Sequence, residues 1–152
     1  VVKGSVADSV AKFNRDFQSE LRPFARVTTS DLKSFIEDET PVDTGRLRRS
    51  FYVKRGSSGV QYIVRNRMEY APWVEWDTGR HRPGGQYIII TPKRAEYLRF
   101  RGRTGDIVYT KRVRHPGSAG AHMFAKGAAR LDAELPKRGD WFIRKIARQA
   151  GL

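Results

Sequence analysis

The chain has no cysteine, no apolar run that approaches the roughly 20 residues of a membrane span, and far fewer acidic than basic residues. The first absence excludes disulfides and thiolate chemistry, and leaves stability to the core and to a partner subunit. The second excludes a bilayer-spanning helix; with no signal-peptide h-region at the N-terminus, a soluble intracellular product with no membrane partner is expected. The third leaves 16 acidic against 30 basic residues, a net charge of +14. Such an excess calls for an acidic partner: nucleic acid, an anionic protein surface, or a like-fold neighbour of complementary charge.

Catalytic constellations are scarce as well. His81, His115 and His122 share no metal-ligand spacing, and His122 sits beside apolar Met123 and Phe124, where a structural role is expected. Glu75 and Asp77 lie two apart, which turns them to different faces of a helix and argues against an acid/base pair. Neither Gly79, Gly84 and Gly85 nor Gly102 and Gly105 sit between a strand and a helix with the Lys-Ser/Thr ending of a phosphate-binding loop. The sequence therefore predicts no enzyme, no metal and no cofactor.

What is present is enough for one domain over residues 1–152: apolar residues make up 39% of the chain, Trp73, Trp76 and Trp141 among them. Val6, Val10, Phe13, Phe17, Leu21 and Phe24 recur at spacings of four and three, an apolar helical stripe that reads as a core face. Pro23 should end or kink this element. Ser30 then reads as the N-cap of a second helix, with Asp31 in its first turn, running through Leu32, Phe35 and Ile36; two helices and one bent helix both fit. The hinge of the chain is the segment 41–50. Pro41 cannot continue a helix, Asp43 and Thr44 can bond nearby backbone N–H groups, Gly45 tolerates positive φ, and Leu47 leads the chain back to the core.

After the hinge the period changes to that of strands. Residues 51–55 and 60–65 flank Gly56-Ser57-Ser58-Gly59 and predict a hairpin. Tyr70, Trp73, Val74 and Trp76 predict a helical turn that packs its aromatics on the sheet. Residues 79–85, with Arg80, His81 and Arg82, predict an exposed, mobile contact loop without an apolar anchor. Residues 87–90 read as a strand covered on both faces. From Lys93 to Arg114 eight basic residues face two acidic ones, a local excess of +6. Strand-like runs at 97–101 and 107–111 make this a basic hairpin carrying Arg99, Arg101, Arg103, Lys111, Arg112 and Arg114. His115-Pro116-Gly117 punctuates it, a helix with close-packing small residues follows around Gly127 and Ala128, and Asp140 reads as the cap of a last helix. The expected class is α+β: N-terminal helices on an antiparallel sheet, a long basic hairpin or loop, then C-terminal helices.

Three stretches resemble a known family. Residues 41–50 (Pro41, Asp43, Thr44, Gly45, Leu47 and Ser50), residues 70–79 (from Tyr70-Ala71 through Val74-Glu75 to Gly79), and His115-Pro116-Gly117 leading to His122-Met123-Phe124 are similar to the small head-tail connector or minor tail-component (tail-completion) proteins of long-tailed bacteriophages. The likeness covers roughly residues 37–131, with one departure: the family's usual Gly-Thr after the glutamate is here Asp77-Thr78-Gly79. The resemblance implies a structural virion protein without enzymatic activity, located at the neck or upper tail and assembled in the host cytoplasm. It implies a homo-oligomeric ring, with a hexamer expected, in contact with neighbouring neck and tail proteins and enclosing the DNA channel. A tail terminator ring is the nearest alternative, and a non-sequence-specific nucleic-acid-binding protein the alternative from another class. The basic hairpin and the 80–82 loop are the expected subunit-contact arms, with the hairpin's charge assigned to protein neighbours in preference to channel DNA, which tight binding would retard.

Overall fold

The structure, a computed structural model, describes residues 5–152. Two compact units form: one from the N-terminal part through residue 71 together with residues 122–152, the other from residues 72–121. The α+β class holds throughout, with long helices in the first unit and short antiparallel ladders in both.

The first unit is organised by helix α1, Val6–Asp38, and helix α3, Met123–Ala150. Partners along α1 descend along α3: Lys12 Nζ donates to the Gln149 carbonyl, Lys145 Nζ reaches Glu20 at 3.0 Å, Arg138 bonds Asp31, and Arg130 bonds Asp38 at 3.2 Å. The two helices are therefore antiparallel. Between them Phe142 is buried against Phe24 (ring centroids 4.5 Å apart) and Phe17 (5.6 Å), while Ile36, Met123 and Ile146 are sealed from solvent. Gly127 sets the close approach, since a Cβ there would meet Ile36 Cγ1 at 2.6 Å. Small-residue packing at this position was expected.

Several boundaries differ from the sequence reading. Pro23 does not end α1, and Ser30 and Asp31 are interior residues of one helix, not a cap and first turn. Likewise Asp140 caps nothing: α3 runs through Pro136 and Gly139, and Asp140 pairs with Arg144 one turn on, at 3.5 Å. A proline inside a helix costs about 3 kcal/mol because its ring removes one hydrogen bond and crowds the preceding turn. Both prolines lie on exposed faces, where water can solvate the freed carbonyl, and the pairing of the helices along their length outweighs the loss. The α1 stripe is a core face only in part, for Val6 (78% exposed) and Val10 stand in solvent. Ser5 caps the helix instead, accepting from the Asp8 N–H while Asp8 accepts from the Ser5 N–H.

The hinge turns as predicted. Gly45 has φ +73°, Leu47 and Ser50 are buried, and a 3₁₀ turn, Arg48–Ser50, leads into strand β1, Phe51–Arg55. Strand β2, Tyr62–Asn66, pairs antiparallel with it, Phe51 opposite Asn66 and Arg55 opposite Tyr62. Ser50 Oγ donates to the Leu47 carbonyl, and Asn66 Nδ2 donates to the same oxygen at 3.1 Å, locking hinge to hairpin.

The second unit carries strands β3 (Ile88–Ile90), β4 (Leu98–Arg101), β5 (Ile107–Thr110) and β6 (Val113–His115). Short helix α2, Ala71–Glu75, leads into it. The single sheet expected from the sequence is replaced, among the described residues, by three two-stranded ladders, β1–β2, β3–β6 and β4–β5. His115, read as punctuation, belongs to a strand. Residues 88–90, read as covered on both faces, are about 40% exposed each: among the described residues β3 pairs with β6 alone, and no second layer buries either face. The aromatics of the α2 region stay largely exposed: Trp73 is 69% exposed, and Trp76 and Tyr70 are exposed as well.

Candidate functional site

Two of the three motif stretches meet in the second unit. Segment 74–80 runs along segment 116–121: Thr78 N–H donates to the Ser118 carbonyl at 2.9 Å, Arg80 N–H to the Pro116 carbonyl at 2.7 Å, and Ala121 N–H to the Val74 carbonyl at 2.7 Å. Side chains complete the tie. Ser118 N–H donates to Thr78 Oγ1 and Gly120 N–H to Asp77 Oδ1, both at 2.8 Å. Gly117 is required here, since it has φ +89° and a Cβ would lie 2.0 Å from the Thr78 carbonyl oxygen. The Asp77-Thr78-Gly79 departure thus has its own use: Asp77 and Thr78 bind Gly120 and Ser118, just after the His-Pro-Gly segment. Glu75, also a motif residue, is buried, while Tyr70 is exposed.

Arg80, His81 and Arg82 are exposed, as expected, on a short 3₁₀ turn (Gly79–His81) and the residue after it. The loop has polar anchors instead of apolar ones. Beyond its backbone bond to Pro116, Arg80 lies over the Tyr87 ring, 4.9 Å from its centroid, and its Nη1 donates to the Tyr87 hydroxyl at 2.8 Å. Arg82 lines a different recess of about 340 Å³ with Pro72, Trp73, Trp76 and Pro83.

The basic residues of the expected arm fall into two groups. Arg99, Arg101 and Arg103 belong to the β4–β5 hairpin, whose register sets Arg99 opposite Tyr109 and Arg101 opposite Ile107. Arg99 Nε donates to the Tyr109 hydroxyl at 3.2 Å; Lys111, just beyond β5, lies 5.3 Å from the Tyr97 ring and 3.8 Å from the exposed Glu96 carboxylate. Arg112 and Arg114 instead join Arg80 around Tyr87, with Arg114 4.4 Å from the same ring. These residues and Ile89 line an open cleft of about 820 Å³. In the sequence Arg80 and Arg114 belong to separate elements, and Tyr87 reads only as strand. The signal for the cluster is a tyrosine just before an isoleucine run, with arginines within and beside the strand that pairs with it.

The units differ in how they hold their cations. In the first, arginines and lysines face carboxylates: Arg48 and Arg130 share Asp38, Arg138 joins Asp31 and Glu134, and Lys33 joins Glu37. The carboxylates around Arg138 hold its pKa above the ordinary guanidinium value. In the second, aromatic rings do much of this work. A ring attracts a cation without neutralising it, so a guanidinium laid on tyrosine keeps its charge and most of its donors. Residues 72–121 hold ten basic and four acidic residues, so this field is concentrated. Among the described residues no group of three or more histidine, aspartate or glutamate side chains could hold a metal ion, and no helix is long and apolar enough to cross a membrane.

Residues 5–76 match the model of a family described as "Bacteriophage HK97-gp10, putative tail-component". The match, over a little less than half of the chain, bears out the resemblance to phage head-tail and tail-component proteins. It takes in α1, the hinge, the first hairpin and α2, and ends as the second unit begins. No curated protein and no solved structure matches the chain.

Proposed function

We propose that this chain is a phage tail component and a structural subunit of a ring at the neck, where head joins tail, and that residues 72–121 are the arm by which each subunit grips its neighbour. The observation that carries this reading is that no apolar residue of 72–121 is buried among the described residues, although the segment holds four strands. Consecutive residues of a strand point to opposite faces, so the exposure of Ile88, Ile89 and Ile90 leaves both faces of β3 uncovered. Phe100, Ile107, Val108, Trp73 and Trp76 are exposed in the same unit. That much apolar surface on one short segment is typical of an interface, and a second copy of the chain is a covering that closed rotational symmetry supplies.

The mass of the purified protein in solution tests this. A ring of six would weigh about six times the 17.4 kDa of one chain. Ile88→Thr/Ile90→Thr keeps β-branched side chains on one face of β3 while removing apolar surface. It is expected to shift the protein toward monomer with its unfolding temperature unchanged when both are compared as monomers. Normal assembly by this variant would argue against the arm, and a wild type that stays monomeric at high concentration and in particles would sink the ring.

A further inference from the structure

We propose that the cleft formed by Arg80, Arg112 and Arg114 around Tyr87 is a contact site for the phosphodiester backbone of duplex DNA. The inference stands on the geometry of residues 72–121 and does not require the ring.

Three features support it. First, the cations are positioned yet unspent: Arg80 and Arg114 rest on one ring, and among the described residues no carboxylate forms an ion pair with either of them or with Arg112. A site that holds three guanidiniums together without a counter-charge gains by admitting an oxyanion, and the ring contacts reduce the ordering needed when it arrives.

Second, the charged and hydroxyl groups of the wall can all donate. The Tyr87 hydroxyl accepts from Arg80 Nη1 and so keeps its own proton for a ligand, beside the guanidinium N–H groups. A DNA backbone offers only acceptors on its outer edge, which suits such a wall. An acidic peptide would bring a backbone N–H with each residue and set those donors against the guanidiniums. Third, the cleft is open and lies in the same unit as the β4–β5 hairpin, whose Arg99, Arg101 and Arg103 are exposed, so a polymer of regular charge finds more than one contact where a single carboxylate finds one. Exposed arginine–phosphate contacts are individually weak and salt-sensitive, which allows DNA to move past them and removes the objection that binding would arrest it.

The test is a titration of the full-length protein against a labelled mixed-sequence duplex of roughly 30 base pairs, between about 50 and 300 mM salt. Arg80→Ser/Arg112→Ser/Arg114→Ser is compared with Arg26→Ser/Lys54→Ser/Arg55→Ser, which removes the same charge from exposed positions of the first unit. The cleft variant is expected to lose about tenfold or more in affinity at low salt and about three from the slope of log K on log salt, at close to one per phosphate contact, while the control keeps most of both. Equal losses in the two variants would mean that net charge acts without a site. Absence of wild-type binding at the lowest salt, or preference for polyglutamate over duplex, would also overturn the proposal. If the triple variant melts early, Arg112→Ser alone is read, because that side chain makes no hydrogen bond, ion pair or ring contact among the described residues. A slope lower by about one supports the site, and an unchanged slope overturns it.

Discussion

Gly45 is the residue on which the hinge turns. Its φ of +73° lies where a β-branched side chain clashes with its own backbone, and a Cβ would meet Arg49 Nη1 at 2.7 Å. The arginine tip can move aside; the backbone cannot, because the Arg49 N–H donates to the Gly45 carbonyl at 3.1 Å and Leu47 is buried two residues on. Gly45→Val is therefore expected to cost about 2 kcal/mol, which lowers the unfolding temperature of a chain this size by several degrees. An unchanged melting curve would show that the turn can re-form with negative φ. This residue was legible in the sequence because turn chemistry is local. The roles of Asp77 and Thr78 were not, since their partners lie some forty residues away.

Among the elements, the α1–α3 pair carries most of the buried apolar surface, and Phe142 is its centre. It is buried between Phe17 and Phe24, so truncation removes both ring contacts and leaves a cavity that two long helices cannot easily close. Phe142→Ala should destabilise the protein by about 3–5 kcal/mol, measurable by chemical denaturation, whereas the exposed Trp141→Ala should change stability by less than about 1 kcal/mol. Similar losses from the two would mean that α3 is rotated from the orientation described. The helical period was plain in the sequence, but the helix ends were not. Proline and cap residues state a local preference, and the competing term, pairing along α1 and α3, depends on residues 92 to 137 positions apart.

For the molecule as a whole, the contrast between the units predicts unequal stability. Residues 72–121 have no buried apolar residue to hold their ladders, so their amides should exchange with solvent far faster than those of α1 and α3 in the isolated subunit. In assembled particles the same amides should be protected, if a neighbour covers β3. Equal protection in the free subunit would mean that the second unit is stable by itself and would weaken the case for an arm.

Composition, period and turn chemistry determined much of this protein: no thiol chemistry, a strong positive charge, an α+β class, the hinge at Gly45, the hairpin at residues 51–66 and the basic β4–β5 hairpin. Each is set by residues close in sequence or by simple sums over them. Only the tertiary structure decided that the prolines stay inside helices, that the predicted sheet is three separate ladders, and that Arg80 and Arg114 gather on Tyr87 with Arg112 lining the same cleft. Those outcomes depend on which distant segments meet, and local propensity has no term for a partner it cannot see.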